Sequence, residues 1–132
     1  MKLSKDKPPN YDKISKAFDL SKKKGIAFTY GDTLYSPEND NIPDHLWAHE
    51  ETHEKQQGDD PEVWWDKYIK DPGFRLDQEL KAYRNQLNFA RKKYTRKQRI
   101  ELLNSIAKDL SSEIYGYLID YKQARKMIRA RV

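Results

Sequence analysis

Two of the three histidines in the chain lie four residues apart, in the segment His49-Glu50-Glu51-Thr52-His53. Side chains at this spacing project from the same face of a helix, so both imidazoles can reach one metal ion. Glu50 then lies beside the ion, where its carboxylate can take a proton from a metal-bound water. The pattern His-Glu-x-x-His therefore predicts His49 and His53 as metal ligands and Glu50 as a general base. A chance match on a glutamate-rich helix is the alternative.

A third protein ligand is needed, because two imidazoles and one water leave a tetrahedral site incomplete. The chain has no cysteine, so the ligand must be a histidine or a carboxylate. Glu79 is the best candidate, since it lies at the edge of an apolar helical stripe, where an unpaired carboxylate would be costly. We expect one Zn²⁺ per chain. In the alternative interpretation, Glu79 is a surface partner of Arg75 or Lys81.

An oxyanion donor is the next requirement, because attack on a peptide carbonyl develops negative charge on its oxygen. Tyr83, one helical turn after Glu79, is our first choice, with Tyr115 and Arg75 behind it. The alternative is that Tyr83 belongs simply to the core.

His45 and Gln57 lie one turn before and one turn after the histidine pair. His45 either contacts the ligands or is a capping, partly exposed residue. Gln57 either orients a ligand or Glu50, or lies at a solvated helix end. If His45 or an aspartate were a fourth protein ligand in place of water, the site would be closed. A structural metal site is therefore an alternative to a catalytic one.

The chain resembles the gluzincin metallopeptidases in two motifs, HEETH at residues 49–53 and ELKAY at residues 79–83. In that family the third zinc ligand is a glutamate on a second helix. The segment 45–90 as a whole is similar to small metallopeptidase-like proteins of phages and bacteria, and residues 110–128 match them more loosely.

This resemblance implies a zincin-like domain that hydrolyses peptide bonds. By the same resemblance, His49, His53 and Glu79 are the zinc ligands and Glu50 is the base. The large gluzincins have a second domain that walls the substrate cleft, and we expect none in these 132 residues. We therefore expect the substrate to be a short peptide, a flexible linker or the tail of a partner protein.

The composition fits a single folded domain. The chain has 132 residues and no cysteine, and its net charge is +5. We expect a basic, mobile arm at residues 1–11 and one domain at residues 12–132. No apolar leader follows Met1, and no run approaches the roughly 18 apolar residues of a membrane span. We therefore expect a cytoplasmic location without membrane contact, in the host cytoplasm if the protein is phage-encoded.

Two basic runs support a different hypothesis, a helical module that binds nucleic acid. They are RKKYTRKQR at residues 91–99 and KQARKMIRAR at residues 122–131. Lysine and arginine could contact phosphates there, but no base-reading motif accompanies them. Solvated helix faces and a helix-linking turn explain both runs and are the preferred interpretation.

The elements that must position these residues are mostly helices. Two β-rich runs, 26–30 and 33–36, flank Gly31-Asp32 and predict a hairpin. A loop at residues 37–44 follows, with Asp44 as the N-cap of the metal-binding helix. The predicted helices span residues 12–24, 45–57, 61–69, 74–93, 96–110 and 121–129, the last capped by Asp120. The fold class is therefore α+β and mostly helical, with a small hairpin before the HExxH helix.

Two segments complete the prediction around the site. Trp64, Trp65 and Tyr68 lie between the two ligand-bearing helices and are expected to pack beneath the site. The strand Thr33–Ser36 is expected to lie nearest to it and could pair with an extended substrate.

Overall fold

The computed structural model describes residues 1–38 and 41–130 and has the predicted mostly helical α+β architecture. Within these ranges, no helix combines the length and apolar character that a membrane span requires. The elements are β1 Lys2–Ser4, α1 Tyr11–Ala17, a 3-10 turn Leu20–Lys22, β2 Phe28–Tyr30, β3 Thr33–Tyr35, α2 Asp44–Gln57, α3 Pro61–Lys70, α4 Pro72–Lys93, α5 Arg96–Leu110, a 3-10 turn Glu113–Tyr115 and α6 Tyr121–Arg129. Parts of the predicted loop 37–44 and of the basic run 122–131 lie outside the described residues.

The predicted hairpin is confirmed. Strands β2 and β3 pair antiparallel with Thr29 opposite Leu34. Gly31 begins the connecting turn with a φ of +61°, a conformation that glycine adopts without steric cost. The hairpin places Thr29 next to α2, which matters for the site described below.

A third strand was not predicted. Lys2–Ser4 pairs parallel with β3, in a segment that we expected to have no regular structure. The pairing uses backbone atoms and the side chains of Lys2 and Leu3 are exposed, so no apolar alternation marks this strand in the sequence. Because the strand order is β1-β3-β2, β3 is central. The prediction that Thr33–Ser36 pairs with a substrate is therefore wrong.

The first helix is shorter than predicted. It was expected to span residues 12–24, but α1 ends at Ala17 and Phe18 is extended. The Asp19 side chain then accepts a hydrogen bond from the backbone N–H of Ser21 at 3.1 Å and starts a 3-10 turn. Such a local side-chain bond competes with continuation of a helix.

The helix starts follow capping rules, with one correction. Asp44 was expected to cap α2, but the cap position is Pro43 and Asp44 lies in the first turn. Its carboxylate instead pairs with Lys93 Nζ at 2.6 Å. Asp71 caps α4, which therefore begins two residues earlier than predicted. Asp120 caps α6 as predicted, through the N–H of Gln123.

Two apolar clusters hold the elements together. One lies between α4, α5 and α6, and the other lies between α1, the hairpin and α3. The helical spacing of Ile100 with Leu103, Ala107 and Leu110 on α5 predicts that it is buried, but Ile100 is 40% exposed. Helix α4 packs against α2 on one side and against α5 and α6 on the other, so it connects the site to the larger core.

Candidate metal centre

Three predicted ligands meet between α2 and α4. His49 and His53 project from α2, Glu79 projects from α4, and all three are buried. The Nε2 atoms of the two histidines are 3.1 Å apart, and each lies 3.1 Å from Glu79 Oε1. Ligand atoms on a tetrahedral zinc ion with bonds of about 2.0–2.1 Å are about 3.3–3.4 Å apart. The three atoms therefore fit around one small cation.

The outer nitrogens of both histidines face glutamine oxygens. His49 Nδ1 lies 3.0 Å from Gln86 Oε1, and His53 Nδ1 lies 2.7 Å from Gln56 Oε1. The orientation of Gln56 is fixed because its Nε2 donates to the carbonyl of Gln78 at 3.1 Å. An amide oxygen only accepts, so the imidazole proton resides on Nδ1 and leaves the Nε2 lone pair directed at the centre.

Glu79 belongs to the cluster and not to the surface. Its Oε2 accepts a hydrogen bond from the Tyr68 hydroxyl at 2.5 Å, while its Oε1 faces the histidines. The alternative partners are occupied elsewhere. Lys81 pairs with Asp77 at 3.0 Å, and Arg75 donates to backbone carbonyls, including that of Tyr68 at 2.8 Å. The surface-pair interpretation of Glu79 is therefore wrong.

Electrostatics show that the centre favours positive charge. Burial alone would lower the pKa of His53, but the Glu79 carboxylate raises that pKa to about 9. Burial would also raise the pKa of Glu79, yet the imidazoles of His53 and His49 hold it well below its usual range. Three lone-pair donors this close together repel one another unless a proton or a metal ion lies between them.

Glu50 lies beside the ligands and not among them. Its side chain is buried, and its Oε2 accepts a hydrogen bond from Thr29 Oγ1 at 2.6 Å. It lines a cavity of about 140 Å³ together with the three ligands. Thr29 on β2 thus holds one carboxylate oxygen of Glu50 at the wall of the cavity that the ligands share.

Two tyrosines line the same cavity, the buried Tyr83 and the half-buried Tyr115. The ring of Tyr83 lies 4.4 Å from the ring of His49, and its hydroxyl is 2.7 Å from that of Tyr115. Burial, reinforced by the Glu79 charge, raises the pKa of both tyrosines well above the usual value. Both hydroxyls therefore stay protonated, and because one donates to the other, the pair keeps one proton to donate. Arg75, the other predicted oxyanion donor, is not part of the cavity lining and donates to the Tyr115 carbonyl at 3.1 Å.

His45 and Gln57 contact the surroundings of the cluster. His45 Nδ1 accepts from Gln86 Nε2 at 2.8 Å, so His45 contacts the amide that faces His49. Gln57 is buried, and it joins α2 to the hairpin through the Thr29 carbonyl and the Gly31 N–H, both at 2.7 Å. The solvated helix end considered for Gln57 is therefore wrong. Within residues 1–38 and 41–130, the metal-binding cluster comprises three side chains and does not include His45.

The aromatic segment packs beneath the cluster, as predicted. The ring of Trp64 lies 5.2 Å from that of His53, and its Nε1 donates to Gln78 Oε1 at 2.8 Å. Trp65 Nε1 donates to the Thr29 carbonyl at 2.9 Å. The apolar rings cover the cluster from beneath, while the two indole N–H groups bond to Gln78 and to the Thr29 carbonyl.

Four residues of the site were missed in the sequence: Gln56, Gln78, Gln86 and Thr29. Gln86 and Gln56 carry a usable signal, because Gln86 follows Glu79 by seven residues on α4 and Gln56 follows His53 by three on α2, so each lies on the same helix face as its ligand. The others depend on contacts between elements that are distant in sequence.

Comparisons with known protein families, curated proteins and solved structures find no match to this chain. The resemblance to gluzincins therefore stays a prediction from the motifs. The geometry itself supports a coarser statement: the buried cluster of two histidines and one glutamate could hold a metal ion.

Proposed function

We propose that the chain is a zinc-dependent peptide hydrolase, with His49, His53 and Glu79 as ligands and Glu50 as general base. The observation that carries the proposal is the convergence of three buried donor atoms, each 3.1 Å from the other two. Their outer atoms are held by two glutamines and a tyrosine, the kind of outer partners that fix ligand orientation in metal sites.

The donor set favours zinc over the alkaline-earth ions. Two imidazole nitrogens and one carboxylate oxygen match the ligands of catalytic zinc sites, in which three protein groups leave one position for water or substrate. Calcium and magnesium are bound mainly through oxygen. The absence of a fourth donor from the described cluster agrees with an open site.

The chemistry divides among the residues of the cavity. A zinc ion supplies acidified water and polarises a carbonyl. The Glu50 carboxylate, oriented by Thr29, accepts the proton of the attacking water and delivers it to the departing amine. Of the hydrogen-bonded hydroxyls of Tyr83 and Tyr115, one donates to the other, and the remaining proton is available to donate to the carbonyl oxygen as its charge develops.

The test separates metal binding from hydrolysis. Protein stripped with a chelator is titrated with zinc by calorimetry, and the zinc-loaded protein is incubated with a pooled peptide library read by mass spectrometry. We expect one zinc per chain and cleavage of a subset of peptides. Glu50→Gln should retain zinc and lose about 10²- to 10⁴-fold in cleavage rate. Glu51→Gln, an exposed neighbour, is the matched control and should behave as wild type.

Two outcomes would contradict the proposal. If wild-type protein binds zinc no better than a His49→Ala/His53→Ala variant, the metal-site assignment is wrong. If Glu50→Gln cleaves as fast as wild type, Glu50 is not the general base. Loss of zinc in Glu50→Gln would make Glu50 a ligand instead.

A further inference from the structure

Charge is distributed unequally along the chain. Residues 1–80 contain 12 lysines and arginines against 17 aspartates and glutamates, a net charge of −5. Residues 81–132 contain 14 against 4, a net charge of +10. The modest overall charge of +5 therefore conceals a strongly basic C-terminal part, remote in sequence from the metal-binding helix.

Much of this basic charge lines a groove between α4, α5 and α6, which we call the arginine groove. Its volume is about 500 Å³, and its lining includes five arginines, Arg91, Arg96, Arg99, Arg125 and Arg129. They come from three helices at helical spacing, so the fold gathers them although they are separated in sequence.

Four of these five arginines are not neutralised by carboxylates. In the described part of the chain, Arg96, Arg99, Arg125 and Arg129 form no ion pair. Arg99 and Arg125 bond to neutral acceptors, the Tyr94 carbonyl at 3.1 Å and Asn104 Oδ1 at 2.8 Å. Guanidinium groups gathered in this way repel one another, and an anionic partner relieves that repulsion.

A second basic groove continues the first. It lies along α2 and α4, has a volume of about 930 Å³, and its basic residues are Lys55, Lys81, Arg84, Arg91 and Lys92. Arg91 lines both grooves, so they join at this residue. From Lys81 to Arg91 the track runs about 15 Å along α4, the length of about four nucleotides of one DNA strand.

We propose that the joined grooves bind the phosphate backbone of nucleic acid. Arginine matches phosphate through paired N–H donors, and the amides of Asn85 and Asn88 in the second groove can donate to phosphate and sugar oxygens. The second groove has no large apolar side chain in its lining, and in the arginine groove Leu87 and Leu103 are buried, so only Ile100 could anchor the apolar centre of a protein interface. Neither lining contains an aromatic ring on which an unpaired base could stack, which favours a duplex over a single strand.

The experiment measures binding of a fluorescein-labelled mixed-sequence DNA duplex by anisotropy between about 50 and about 200 mM salt. Wild type should bind with a dissociation constant of about 10⁻⁴ to 10⁻⁶ M near physiological salt, and log affinity should fall linearly with log salt. The triple variant Arg96→Gln/Arg99→Gln/Arg129→Gln should bind at least about tenfold more weakly, with the slope reduced by about 2 to 3.

The matched control is Lys16→Gln/Lys24→Gln/Lys70→Gln, which removes the same charge at exposed positions outside the grooves. It should retain most of the affinity and the wild-type slope. Circular dichroism checks that both triple variants are folded.

Three results would overturn the proposal. The first is no binding even at the lowest salt, and the second is equal weakening by both triple variants. The third is displacement of the duplex by polyglutamate as effectively as by unlabelled duplex, which would assign the grooves to acidic proteins.

Discussion

Helix α4 takes part in two seams that are filled in opposite ways. The seam with α2 buries polar side chains, among them His49, His53 and Glu79. The seam with α5 and α6 buries apolar ones, Leu80, Leu87, Leu103, Ile106 and Leu110 together with Ala107, Ala124 and Ile128. The same helix therefore carries a stabilising face and a face that is costly to bury.

The difference shows which of the two seams stability alone does not explain. Burial of apolar surface stabilises a fold by about 25 cal/mol per Å², whereas buried charges need partners merely to offset desolvation. In the described residues, Asn10 has the only buried side-chain polar atoms without a hydrogen-bond partner. Apart from the three ligand atoms that face the centre, the buried polar side chains of this seam are thus hydrogen-bonded, which a chance assembly of histidines and carboxylates would not achieve. Its composition is better explained by ligand binding than by stability.

The largest effect is expected when Glu79, the third donor of the polar seam, is removed. Glu79→Ala should weaken zinc binding by several orders of magnitude, more than the roughly 10–100-fold typical for loss of an outer partner. Asp77→Ala, two residues earlier on α4 and paired with Lys81, is the control and should leave zinc affinity unchanged. Calorimetric zinc titration of both variants measures the two affinities. If Asp77→Ala loses the metal while Glu79→Ala keeps it, the ligand assignment is wrong.

The apolar seam should respond in the opposite way. Leu110 is fully buried between the helices, so Leu110→Ala should lower the free energy of unfolding by about 2–5 kcal/mol. Zinc affinity should stay that of wild type, because Leu110 does not line the cavity of the cluster. Urea denaturation and zinc titration of the same variant make the comparison. A large loss of zinc affinity in this folded variant would show that the seams are coupled.

Sequence patterns predicted the side chains of both seams whose spacing is periodic along one helix. The spacing of His49 and His53 placed both imidazoles on one face, and the stripe on α4 placed Glu79 at its edge. The patterns failed where contacts join distant segments. The parallel strand Lys2–Ser4 pairs through its backbone, and Gln56 bonds to the carbonyl of Gln78, 22 residues away. Neither contact leaves a periodic trace in the chain.

A smaller effect should follow from the groups that set the histidine tautomers. Gln56→Leu removes the acceptor at His53 Nδ1, so zinc affinity should fall by about 10–100-fold while the three donors remain. Gln57→Leu is the matched control, since this buried amide faces the hairpin and not the ligands. It should lower stability and leave zinc affinity intact. Equal zinc affinities in the two variants would remove the role given to Gln56.

The smallest effect concerns the metal-free protein and its response to pH. The pKa of His53 rises from 6.5 to about 9 because of Glu79. A pKa raised by folding adds stability that is fully present below pH 6.5 and is lost as pH rises through about 9. Chelated protein should therefore lose unfolding free energy across this window. His53→Gln should flatten that dependence.

His45 provides the control of opposite sign. Burial lowers the pKa of this histidine, so its contribution is lost as pH falls below 6.5 and does not change towards pH 9. His45→Gln should therefore leave the alkaline loss in place. Urea denaturation at several pH values measures the free energy of unfolding of chelated wild type, His53→Gln and His45→Gln. Bound zinc takes the place of the proton, so zinc affinity should rise over the same pH window in which the metal-free protein weakens. An alkaline loss that persists in His53→Gln would show that the proton lies elsewhere.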